Sequence, residues 1–326
     1  MSDPIVPKQV RDPANLGALR ARALRDLKRR LKAANREVNR LISRIPYTTK
    51  RVAEIKNSLI VNEVIYEYQL NPQQAENLDA EIKAIVDKWL ETAQANKPPR
   101  WFFEVYTDTA YARGTSESFN NIQRIAPAAT TATGEALAAV QIEQILLSAP
   151  YRTRIEFVRS RVFELMKGFS GDTGKDLSRV LQQGVANGDG VNTIKKAIAG
   201  RFNVSISRAE RITRTELNKA FTDSKLDTTA QARDDLGIKV AVMHNSAIAP
   251  TSRREHVARS GNIYTPEQQR KWWSKGANRI NCLCSTIEVL IDSKGQVVQK
   301  DVQKIIKDRK KDFKPEKHEK RKKIID

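Results

Sequence analysis

Two cysteines, Cys282 and Cys284, stand in "INCLC", and two of the three histidines, His244 and His256, lie within forty residues upstream. Thiolates and imidazoles are the ligands of a tetrahedral zinc site, so the four could make a Cys2His2 centre. The Cys-x-Cys spacing is tighter than the usual Cys-x2-Cys. Two other readings stay open. Both thiols could be small core residues, since free cysteine is among the most buried residue types. They could also form a local, reversible disulfide, which an extended strand would strain. His256 by itself is equally a loop-to-sheet hydrogen-bonding residue that orients Arg253 or Arg254.

Elements must bring these groups together. "IKVAVMH" (238–244) and "CLCSTIEVLI" (282–291) read as strands, followed by the turn "DSKG" and a short "QVV". Alternation along a strand would put Cys282 and Cys284 on one face. Thr251 or Ser252 and then Thr265 with Pro266 and Gln268 are helix-start signals between the strands. A small sheet of about three strands flanked by helices is expected. Trp272 and Trp273 in "RKWWSKG" are read as one core residue and one exposed anchor for a partner.

Upstream, "SISRAERITRTELNKAF" is predicted to open with a Ser207/Glu210 capping box, and Gly237 to supply the left-handed stop. Glu216 is expected to pair with Arg211 or Arg214. "TRIEFVRSRVFELMKGF" reads as a helix closing near Gly168, and two shorter helices are expected either side of "NGDG" (187–190). The stretch 48–149 reads as mostly helical, with Asn71 and Pro72 starting one helix and the small-residue run 126–134 serving as a connector. The fold class is therefore α+β, predominantly α-helical: a helical N-terminal region followed by helices packed on a small C-terminal β-sheet. The expected division is a basic helical arm over 1–45, a helical domain over 46–148, a domain over 149–299 and a basic, flexible tail over 300–326.

Composition bounds function. The 326 residues carry a formal charge of +20, which favours polyanionic partners and salt-sensitive association. Leu16–Arg44 holds ten Lys or Arg against two acids, and Lys300–Asp326 holds twelve against six. Candidate contacts to nucleic acid or an acidic partner are Arg25, Lys28, Arg29 and Arg30 near one end. Lys310, Lys311, Arg321, Lys322 and Lys323 are the candidates near the other. The first basic segment also has helical apolar spacing, so packing on its own domain is the competing reading. Two cysteines make no disulfide framework and point to a reducing compartment. The N-terminal "MSDPIVPKQVRDPANLG" lacks the apolar core of a signal peptide. No stretch approaches the roughly 20 apolar residues of a membrane span.

Taken in order, "MKGFSGDTGKDLSRVLQQGVANGDGVNTIKKAIAGRF", "SRAERITRTELNKAF" and "TSRREHVARSG…INCLC" resemble the phage Mu F-like minor head proteins, the phage head morphogenesis family. The resemblance runs from about Ala149 to Leu290. Its motif positions fall on Arg211, Arg214, Thr215 and Glu216, then Thr251, Ser252, Arg253, His256 and Gly261, then Asn281, Cys282 and Cys284. This sequence departs from the family in two places: "NSAIAPT" lacks the acid that usually precedes the Arg–His element, and Leu283 replaces an Arg between the cysteines. The resemblance implies a virion structural protein present in few copies, associated with the portal protein and with major capsid or scaffold protein in the capsid interior. It would assist head assembly and DNA packaging, contact double-stranded DNA without sequence preference, and have no membrane partner. Assembly would take place in the host cytoplasm. No enzymatic activity and no certain cofactor follow from it, zinc being the one candidate. The alternative is a metal-dependent nuclease or other enzyme using His244 and His256, for which a converging carboxylate would be needed.

Overall fold

The computed structural model describes residues 2–56, 59–90, 101–129 and 135–315. Arg321, Lys322 and Lys323 lie outside them, as does most of the connector expected over 126–134. The chain is predominantly helical with two small antiparallel sheets, as the α+β reading expects. It forms two compact units that interleave in sequence, one from 1–21, 104–159 and 211–326, the other from 22–103 and 160–210. Helices α1 (Gly17–Ile42), α5 (Ala149–Ala186) and α6 (Val191–Leu236) contribute residues to both.

In the second unit, Leu27, Leu31, Ala34, Val38 and Ile42 of α1 are fully buried. This is the i, i+4, i+7 stripe of an amphipathic helix, so the basic N-terminal segment is packed and is no free arm. Residues 47–68 correct the helical reading of this region. Strands β1 (Tyr47–Lys56) and β2 (Leu59–Tyr68) pair as a hairpin in the register Tyr47↔Tyr68. The β-branched and aromatic run "LIVNEVIYEY" carries the strand preference that outweighs weak helical spacing. Tyr66 N donates to Gly188 O (3.0 Å) and Tyr68 Oη to Asp189 O (2.7 Å), which docks the hairpin on the "NGDG" turn. Helix α2 (Pro72–Leu90) is capped reciprocally by Asn71 and Gln74.

Two helix boundaries differ from expectation. Helix α5 runs through Gly168 to Ala186, and α6 runs 46 residues without a break. Ser207 is therefore mid-helix, its Oγ donating to Asn203 O at 3.4 Å instead of capping. A capping motif is a local signal, and burial of Ile198, Phe202, Ala209 and Leu217 along α6 overrides it. Gly237 (φ +63°) does end α6.

In the first unit, α3 (Asp108–Ile125) crosses α6 at Gly114. A β-carbon there would collide with the Phe221 carbonyl and the Ser224 hydroxyl, so only glycine admits the crossing. The three-stranded sheet has the order β4-β3-β5, with β3 (Val240–Asn245) central, β4 (Ile263–Tyr264) and β5 (Ser285–Leu290). The β3–β5 register runs from Val240↔Leu290 to Asn245↔Ser285. Alternation sorts the faces. Ala241, Met243, Ile287 and Val289 face α9 (Lys300–Asp308) through Val302 and Ile306. Val242 joins Leu226 of α6 and Trp273 of α8 (Pro266–Trp273) on the opposite face. The flexible tail expected from Lys300 is thus corrected as far as Asp312. Two apolar residues four apart are enough to fold 300–308 once the sheet supplies a partner. The N-terminal segment reaches the same region, with Arg309 Nη2 donating to Pro7 O at 3.0 Å.

Candidate functional site

Beyond the end of β3, Gly261 (φ +79°) turns the chain where its N–H donates to His244 O at 2.8 Å. A β-carbon at this glycine would lie 2.5 Å from Lys307 Cγ, so the motif glycine allows α9 to close over the turn. Helix α7 (Arg254–Arg259) precedes it and carries His256. Thr251 and Ser252 do not cap α7. Thr251 is exposed, the Ser252 hydroxyl accepts from Ala249 N at 3.0 Å, and the N-cap residue is Arg253. Helix α8 starts as its sequence signals, with reciprocal Thr265–Gln268 hydrogen bonds of 3.0 and 3.2 Å and Pro266 in the first turn.

The cysteines lie just ahead of β5 instead of on it. Asn281 takes a left-handed turn at φ 58°, a conformation asparagine tolerates better than most residues. Its N–H donates to Thr215 Oγ1 of α6 at 3.0 Å, and Asn218 Nδ2 of the same helix donates to Cys284 O at 2.9 Å. Two motif positions sixty-six residues apart, Thr215 and Asn281, thus hold the cysteine segment on α6. Arg211 and Arg214 are exposed on this helix while Glu216 is buried.

This scaffold gathers three of the four proposed ligands, His244, His256 and Cys284, in one cluster, and Cys282 reaches it through His256. His256 Nδ1 is 3.5 Å from Cys282 Sγ and 3.5 Å from Cys284 Sγ. Ligand atoms of His244, His256 and Cys284 all lie within 4.8 Å of one another. All four residues are buried, none more than 5 % exposed. The sulfurs are free, and no disulfide joins them. Cys284 hydrogen-bonds Cys282 and holds its thiol well below the ordinary value, with His256 contributing, whereas that bond and burial push the Cys284 thiol well up. Burial, with the Arg259 charge next, lowers His244 to about 3, so its imidazole is neutral with a lone pair to offer.

Around this cluster, Gln269 Nε2 is 3.1 Å from His244 Nδ1, and Arg259 Nη2 donates to Gln269 Oε1 at 3.2 Å. His244 Nε2 is buried and makes no hydrogen bond. Arg253 Nη1 lies 3.2 Å from His256 Nε2, and its guanidinium also donates to the carbonyls of Asn278 (3.3 Å) and Ile280 (2.7 Å). Arg253 thus links His256 to the Asn278 and Ile280 carbonyls. Trp272 corrects another. It packs edge-on to His256 and His244, with ring centroids 4.7 and 5.4 Å away, and it carries the Arg259 guanidinium 4.2 Å above its ring. It covers the histidines and is no exposed anchor; Trp273 is the core member of the pair, 2 % exposed. No carboxylate joins the cluster among the described residues, and Glu255 beside His256 is exposed.

The basic candidates divide. Lys28 pairs with Glu210 (2.8 Å), and Arg30 lies over the Trp101 ring at 4.0 Å while donating to Trp89 O. Arg25 and Arg29 are exposed and line up with Lys32, Arg36 and Arg40 along one side of α1, a stripe the sequence reading did not separate from the rest. Lys310 donates to Ala258 O (2.7 Å) and Lys311 pairs with Asp308 (2.8 Å).

The Phage Mu protein F like protein family model matches residues 175–287, which bears out the resemblance over that stretch. No curated protein and no solved structure matches the chain.

Proposed function

We propose, from the premise that residues 175–287 form a Phage Mu protein F like domain, that this chain is a minor head protein of a tailed phage. In this reading it sits in the capsid interior near the portal, after assembling in the host cytoplasm. It binds portal protein and major capsid or scaffold protein, assists head assembly and DNA packaging, and touches double-stranded DNA without reading its sequence. The family match is the observation that carries the reading. The motif residues of that domain act on its architecture: Thr215 and Asn281 tie the cysteine segment to α6, and Gly261 admits α9.

DNA contact is assigned to the stripe Arg25, Arg29, Lys32, Arg36 and Arg40, which spans about 22 Å of helix and meets phosphates without base readout. No helix among the described residues is long and apolar enough to cross a membrane. The nuclease alternative has its two histidines in one place but, among the described residues, no carboxylate in the cluster to act as base. Co-expression with the portal protein of the same phage tests the reading. A stable complex through affinity purification and gel filtration is expected, and a chain eluting alone at micromolar concentrations would overturn the portal assignment.

A further inference from the structure

We infer that Cys282, Cys284, His256 and His244 form a closed structural zinc site that fastens α7, the end of β3 and the segment entering β5. The distances carry the inference. Around a tetrahedral zinc with bonds of about 2.3 Å to sulfur and 2.0 Å to nitrogen, each sulfur must stand about 3.5 Å from each nitrogen. His256 Nδ1 is at that separation from both sulfurs at once. Two thiols hydrogen-bonded to the ring could also stand at 3.5 Å, so the zinc assignment rests on this separation together with the neighbouring His244. Sulfur and nitrogen donors of His244, His256 and Cys284 meet within 4.8 Å, with Cys282 against His256, and all four residues are buried. His244 adds a buried Nε2 with no hydrogen bond, which a metal would satisfy.

Charge supports the same assignment. Two thiolates and one divalent cation sum to zero, so the loaded centre is a neutral group in a buried place. With no carboxylate in the cluster among the described residues, two thiols and two imidazoles suit a structural centre, not a catalytic one. The elements it joins need a fastener. Helix α7 has 6 residues and β4 has 2, too short to persist on local hydrogen bonds alone.

Loading has a consequence for the surrounding shell. Metal at His256 Nδ1 leaves the ring proton on Nε2, so Arg253 keeps only the Asn278 carbonyl through Nη1 and the Ile280 carbonyl through Nη2. Metal at His244 Nε2 places the proton on Nδ1, so the Gln269 amide turns to present Oε1 to it and gives up the hydrogen bond that Oε1 accepts from Arg259. Each bound thiol releases its proton to solvent, which accounts for charge on binding.

The test uses the full chain, expressed in zinc-supplemented medium and purified without chelator. Elemental analysis is expected to give about one zinc per chain. Replacement by cobalt is expected to give the intense visible bands of a tetrahedral ion with a near-ultraviolet thiolate charge-transfer band, and Cys284→Ser to weaken that band. A strong chelator should lower the melting temperature by several degrees. Zinc-free protein that takes up cobalt with the thiolate band supports the site equally. Protein that holds no zinc, gives no thiolate–cobalt band on titration and melts unchanged in chelator overturns it. Cobalt bound without sulfur charge transfer overturns the ligand set. Zinc content, the cobalt spectrum and the chelator shift come from the wild-type chain, so the outcome stands even where Cys284→Ser does not fold.

Discussion

Lys225 is fully buried in α6, and its ammonium lies 2.6 Å from Glu117 of α3 and 3.4 Å from Glu288 of β5. Glu288 is itself fully buried; its Oε2 also accepts from Asn121 Nδ2 at 2.9 Å, and its Oε1 makes no hydrogen bond. Asn121 Oδ1 in turn accepts the Ile5 N–H at 2.6 Å. One cation thus holds helix, helix, strand and N-terminal segment in a single network. Burial alone would lower the Lys225 pKa, but the Glu117 and Glu288 charges more than offset it, and the net shift is upward. Its contribution is therefore complete at neutral pH and lost only as pH rises past the ordinary lysine range. Replacing Lys225 by Met keeps the volume and strands Glu288 with one amide partner. Removing one member of a buried pair costs about 3–5 kcal/mol. At about 2–4 °C per kcal/mol for a unit of this size, the melting temperature falls by roughly 6–20 °C. Glu117, at 29 % exposure, can turn to water and adds little to that loss. The decisive comparison is Lys225→Met with Glu288→Leu, which removes both buried charges and should recover at least half of the loss. Thermal and urea unfolding followed by circular dichroism measures both variants. A single variant as stable as the wild type, or a double variant no better than the single, refutes the argument that Glu288 depends on Lys225.

Gly114→Ala should cost about 3 kcal/mol by pushing α3 off the Phe221 carbonyl; adding Ser224→Ala should not rescue it in urea unfolding, because the carbonyl remains. Tyr111 donates to Asp227 (2.7 Å), and burial, then the Asp227 charge, raises its pKa far above the usual range. The folded state therefore keeps a proton that the unfolded chain loses above about pH 10, and stability falls by up to about 1.4 kcal/mol per pH unit there. Tyr111→Phe should flatten that part of a pH-stability profile. Thr215→Val removes the acceptor for Asn281 N–H and should cost about 1 kcal/mol, read as a small fall in the urea midpoint. Reversing Arg25, Lys32 and Arg36 to Glu should flatten the salt dependence of DNA retention by about three phosphate contacts; an unchanged slope removes the stripe from the DNA surface.

Local patterns carried much of this protein by themselves. The strand runs at 240–245 and 285–290, the Thr265–Gln268 capping box and the Gly237 stop are signals contained in a few residues. The ligand types Cys, Cys, His and His are likewise chemistry written in the chain. What neighbouring residues could not settle was anything decided by a distant partner. Ser207 and Gly168 look like helix ends, yet long-range burial runs the helices through them. The stretch 300–308 looks like solvated charge until the sheet offers Val302 and Ile306 a face. Lys225 and Glu288 read as two ordinary surface charges, 63 positions apart in sequence, and only the packing of α3, α6 and β5 makes them one buried pair. The 3.5 Å from one imidazole nitrogen to two sulfurs belongs to the same class. Propensity and capping act over one turn of chain, whereas burial, charge pairing and ligand convergence are set by which elements meet, and that is fixed only when the whole unit folds.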